Sequence, residues 1–135
     1  MNSQSLFNKQ KTDEYRLGRC IQDKLPNGSD LITEIIDLCN YCSIKKGRFC
    51  AIGRVQTATI GVYDQSQEVY VTHLEEQATE VLFCRGTIDT RNEESPVIAK
   101  ILLADQQGQL TGGHLFSGTI IQEIQIDLQE MIEFE

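Results

Sequence analysis

Residues 30–43, DLITEIIDLCNYCS, set Leu31, Ile35, Leu38 and Cys42 at helical spacing with Ile32, Ile36 and Cys39 beside them. Just ahead of the run, Ser29 or Asp30 offers a side-chain oxygen to the free amides of a first helical turn. The pattern predicts one amphipathic helix over 30–43. Lys45, Lys46 and Gly47 suit its C-terminal end, where cations meet the carbonyl end of the dipole and glycine adopts positive φ.

On the N-terminal side, Tyr15, Leu17 and Ile21 alternate loosely with polar residues until Leu25-Pro26-Asn27-Gly28, a turn signal, so 15–24 reads as a strand. Residues 1–14 are polar apart from Leu6 and Phe7 and are expected as a loose leader to one domain over 15–135. On the other side the β-rich runs 49–52, 58–63, 69–74, 79–89, 97–104, 109–115 and 119–128 follow one another. Hairpin-sized loops separate several of them, such as Asp64-Gln65-Ser66-Gln67 and Asp105-Gln106-Gln107-Gly108. One helix before a series of strands predicts an α+β domain with the helix on a largely antiparallel sheet.

The 135 residues suffice for a single core. No apolar run approaches the roughly 18 residues of a membrane span, and no secretory signal is legible, so the expected compartment is the cytoplasm. Twenty acidic residues against twelve basic ones give a formal charge of −8, the wrong sign for affinity built on phosphate neutralisation. The odd set Cys20, Cys39, Cys42, Cys50 and Cys84 reads as reduced thiols, with Cys39-x-x-Cys42 on the apolar helix face as packing and not as a redox pair or half a zinc site. The basic cluster Lys45-Lys46-Gly47-Arg48 runs straight into a strand, and no phosphate-cradling glycine loop, nucleophile elbow or easily assembled triad is present.

The most informative segment is 102–115, LLADQQGQLTGGHL, a strand, a tight turn and a return strand carrying Gly112-Gly113-His114. Two glycines before a histidine suit a bend with close backbone approach; equally, they would leave His114 projecting into a cleft.

Leu103-Ala104-Asp105, Gly108, Gly112-Gly113-His114-Leu115 and Gly118-Thr119 resemble the plants-and-prokaryotes-conserved (PPC) domain family. Ala51-Ile52-Gly53-Arg54-Val55, Ala58 to Asp64 and the turn Pro26 to Leu31 resemble the same family, so the likeness spans about residues 15 to 128. The resemblance implies a compact α+β domain assembled as a homotrimer, with bacterial members of this kind often described as DNA-binding proteins. It also implies a His-x-His on the strand before the turn, which with the Gly-Gly-His imidazole holds a metal such as zinc. Those two positions fall on Ile98 and Lys100, so the metal site is expected to be dismantled and no cofactor is expected.

The reading that follows is a non-catalytic binding and assembly module. A cleft around His114, Lys100, Gly112 and Gly113 would take a small anionic ligand or a protein segment, and the chain itself would be the principal partner. Two alternatives stand beside it: a DNA-associated regulator acting through partners or an oligomer surface, and a metal-dependent enzyme. Direct DNA binding is disfavoured by charge.

Overall fold

Asp30 is the residue that starts the helix. Its carboxylate accepts from the Thr33 amide at 3.1 Å, and its other oxygen accepts from the amide of Gly118 at 2.7 Å, tying the helix start to a distant strand. In the computed structural model, which describes residues 12–134, helix α1 spans Leu31–Tyr41. It is shorter than the sequence pattern suggests, because Ser43 and not Gly47 takes the left-handed conformation, at φ 57°, and the amide of Ile44 returns to the Cys39 carbonyl. Lys46 and Gly47 already belong to the next strand. The deepest line of the helix is Leu31, Ile35 and Cys39, with Leu38 and Cys42 only partly buried beside it.

Six strands flank this helix in the sequence: β1 (Tyr15–Leu25), β2 (Lys46–Asp64), β3 (Val69–Glu75), β4 (Thr79–Asp89), β5 (Val97–Ala104) and β6 (Leu110–Glu133). The expected runs 49–52 and 58–63 are one continuous bent strand, as are 109–115 and 119–128. Gly53, at φ 141°, makes the bend in β2 possible: a Cβ there would sit 1.9 Å from the Glu123 carbonyl oxygen. In β6, Gly118 at φ 98° serves the same purpose. The expected leader, 1–14, falls largely outside the described residues.

Every pairing between these strands is antiparallel, in the order β1-β6-β5-β4-β2-β3, and an additional β6–β2 pairing closes the sheet on itself. The α+β description therefore fits only loosely: the fold is a mostly stranded ring of β2, β4, β5 and β6 with one helix. Inward-facing Phe49, Ala51, Ile60, Cys84, Ile88, Ile101, Leu103, Leu115, Ile124 and Ile126 fill it, and α1 lays Leu31, Ile35 and Cys39 against β5 and β6. β3 is the exception. It pairs with β2 alone, and Val69, Tyr70, Val71 and Leu74 remain exposed on both of its faces.

No helix among the described residues is long and apolar enough to cross a membrane.

Candidate functional site

Strand register brings His114 and Lys100 together. Alternation on β5 turns Val97, Ala99 and Ile101 inward and Ile98 and Lys100 outward, and Lys100 is the direct partner of His114 on β6. Lys100 Nζ lies 3.4 Å from His114 Nδ1 and 3.5 Å from the Tyr70 hydroxyl. An ammonium has only protons to give, so in this contact Nδ1 accepts and the imidazole proton sits on Nε2. The ring packs against both Tyr70 and Phe116, with centroids 4.8 and 4.9 Å away, and those two rings also meet edge to face at 5.8 Å. Partial burial, reinforced by the Lys100 charge, holds the His114 pKa below its usual value and keeps the imidazole neutral near pH 7.

Gly112 and Gly113 do not leave an opening. A Cβ on Gly113 would stand 2.4 Å from the Gly61 carbonyl oxygen, and one on Gly112 would stand 2.6 Å from that of Ile101. The first contact is made by β2 and the second by β5, so the two glycines are what allow β6 to run between its neighbours at close quarters. The His114 ring is thus offered on a half-exposed aromatic shelf, and not from the floor of a cleft kept empty by missing side chains.

The donor set does not fit a metal. Ile98 offers no lone pair, Lys100 carries its charge against Nδ1, and among the described residues no group of three His, Cys, Asp or Glu could hold an ion. The Cys39-x-x-Cys42 pair lies at the end of α1, where burial, with a further contribution from Cys42, pushes the Cys39 thiol up to about 11. Such a thiol is a poor nucleophile at neutral pH, consistent with packing. In the basic cluster, Lys46 Nζ approaches the Tyr15 hydroxyl, and Arg48 points outward from β2.

The sequence reading missed the neighbours of Lys100. Arg85 on β4 is its direct partner on the other side, and Cys50 on β2 partners Arg85 in turn. Alternation through Phe83-Cys84-Arg85-Gly86-Thr87 marks Arg85 as outward-facing, but only the cross-strand register shows that it meets Lys100.

A closed antiparallel sheet carrying one helix, with a Gly-Gly-His element packed at a strand crossing, defines a small β-rich domain. The profile of the Plants and Prokaryotes Conserved domain matches residues 12–132, and the chain belongs to that family. It is similar to a plant- and prokaryote-conserved protein of Pyrococcus horikoshii, with 25% identity, TM-score 0.84, and 92% of this chain and 86% of that one covered. It is similar also to a metal-containing protein of Archaeoglobus fulgidus, with 27% identity, TM-score 0.82, and coverage of 90% and 86% respectively. A Bacteroides thetaiotaomicron protein described provisionally as DNA-binding shares the fold at 18% identity and TM-score 0.73, over 86% of this chain and 82% of its own. No curated protein sequence matches the chain.

Proposed function

We propose that this chain is a non-catalytic binding and assembly module that works as a homotrimer. The observation that carries the reading is uncovered apolar surface: Val62, Tyr63, Val71 and Leu74 on the two faces of the β2–β3 arm, with Ile98 on the ring, each expose at least 43% of their surface. Apolar area of that extent costs free energy in water and is relieved when a second copy covers it. The shelf formed by Lys100 and His114 beside Gly112 and Gly113 then serves recognition of a small anionic ligand or a protein segment, since it offers one fixed cation and one neutral imidazole. Light scattering at micromolar concentration tests the assembly: a mass three times the 15.3 kDa chain is expected, and a monomer rejects the reading.

A second reading, a DNA-associated regulator acting through partners or an oligomer surface, draws on the outward cations Arg48, Arg85 and Lys100 and on the description given to the Bacteroides structure. Phosphate contacts would make duplex affinity fall steeply with salt. Flat or absent DNA binding across a salt series rejects it.

A further inference from the structure

Cys50, Arg85, Lys100 and His114 stand in one row across the outer surface, each the register partner of the next on β2, β4, β5 and β6. Two consecutive members are cations. Like charges directly opposite each other on a sheet repel, and a folded chain ordinarily separates them or sets a carboxylate between them. This chain has twenty acids to spend on twelve bases, yet the ion pairs among the described residues go to Arg19, Arg54 and Arg91. Among the described residues, Arg48, Arg85 and Lys100 have no carboxylate oxygen within the 4.0 Å of an ion pair.

The same three cations line one concavity of about 550 Å³, whose apolar walls are Phe83 and Met131. A second concavity of about 570 Å³ shares Arg48 and Arg85 and continues the groove over Phe49, Cys50 and Leu128. The acid that lines this extension, Asp127, accepts a hydrogen bond from Gln22 at 2.8 Å. Volumes of this size match small-molecule sites.

We infer that this groove binds a small organic phosphate, its dianion held by Arg85, Lys100 and Arg48 and its apolar part laid over Phe83 and Met131. Guanidinium forks match phosphate oxygens two at a time, and a dianion between Arg85 and Lys100 removes the repulsion that the empty row bears. The ligand is small because the chain's net charge of −8 opposes any polyanion that extends beyond the groove. The inference deepens the ligand-binding part of the proposed function, moving the anion site from the His114 shelf toward β4, and it does not depend on the assembly part.

Calorimetric titration with phenyl phosphate in a phosphate-free buffer tests it. Saturable binding is expected, several-fold tighter than for inorganic phosphate, with Arg85→Gln and Lys100→Gln each weakening it about tenfold or more. Arg54→Gln, which removes a cation paired with Glu123 elsewhere, is expected to leave binding unchanged. In the absence of phosphate, Arg85→Gln is expected to melt no lower than the parent, because it relieves a repulsion; a structural role for Arg85 would lower the melting temperature. The proposal is overturned by absent binding, by equal affinity for the two phosphates, by equal binding in the Arg85 and Lys100 variants, or by equal weakening in Arg54→Gln. It is overturned also if a short DNA duplex displaces phenyl phosphate at equal charge, or if Arg85→Gln changes the mass in solution, since the cations would then face nucleic acid or a carboxylate of another copy. The solution mass of the parent reads the assembly reading separately, so the two failures are distinguishable.

Discussion

Lys100 Nζ and His114 Nδ1 lie 3.4 Å apart across directly paired positions of β5 and β6, an ammonium set against an imidazole that burial already keeps neutral. The unfolded chain feels neither effect, so its His114 protonates near 6.5 while the folded chain resists protonation until lower pH. Stability from this group is complete above that value and is lost as pH falls toward the folded pKa. Melting temperature is therefore expected to drop from about pH 7 to about pH 5 more steeply in the parent than in His114→Gln. Identical slopes would show that the imidazole feels no such environment.

Gly113 should not tolerate even a methyl group. Its Cβ would meet the Gly61 carbonyl oxygen at 2.4 Å, a backbone atom of β2 that cannot swing aside as a side chain would. Gly113→Ala is expected to cost about 1 to 3 kcal/mol or more by overpacking. Gly108→Ala is the contrast, since nothing lies within 4 Å of its Cβ and only its φ of 79° opposes the change, at about 1 kcal/mol. Urea unfolding of the two variants should rank them in that order.

The ranking touches on what was legible in the chain. Helical spacing in 30–43 located α1 and the first two residues of its buried line, Leu31 and Ile35, but Cys39 and not Leu38 or Cys42 completes that line; period-two alternation located the strands, because both patterns are local. The closure of the ring was not legible: whether 49–52 and 58–63 are two strands or one depends on Gly53 meeting Glu123, seventy residues away in the sequence. The same limit hid Arg85. His114 drew attention through its two glycines, whereas an arginine between a cysteine and a glycine carries no local signal and gains meaning only from its register with Lys100 and Cys50.

Ile35 is fully buried between the helix and the sheet, so Ile35→Ala is expected to cost about 2 to 5 kcal/mol in equilibrium unfolding. A loss under about 0.5 kcal/mol would mean that the helix does not close the core at this point.

The thiols divide by exposure. Cys20 and Cys50 are exposed and should react with a thiol reagent in the folded protein, while buried Cys39 and Cys84, with thiols pushed up to about 11 and about 12, should react only on unfolding. Cys39→Ser with Cys42→Ser should then abolish no redox activity. Disulfide reductase activity in the parent that disappears in this double variant would contradict the packing role.

The last expectation concerns metal, because the family resemblance places imidazoles at positions 98 and 100 where this chain has Ile98 and Lys100. Both side chains point outward from β5, Ile98 is 47% exposed, and Lys100 faces His114 directly, so imidazoles at 98 and 100 would share one outer surface with His114. What is missing is chemistry: an isoleucine supplies no lone pair, and the Lys100 charge repels a cation at the one remaining imidazole. Purified parent protein is expected to carry no stoichiometric zinc. Ile98→His with Lys100→His is expected to bind about one zinc per chain and to melt higher in its presence, since binding to the folded state alone stabilises that state. Stoichiometric zinc in the parent would refute the dismantled site, and a double variant that binds none would show that positions 98 and 100 do not correspond to the family's ligands.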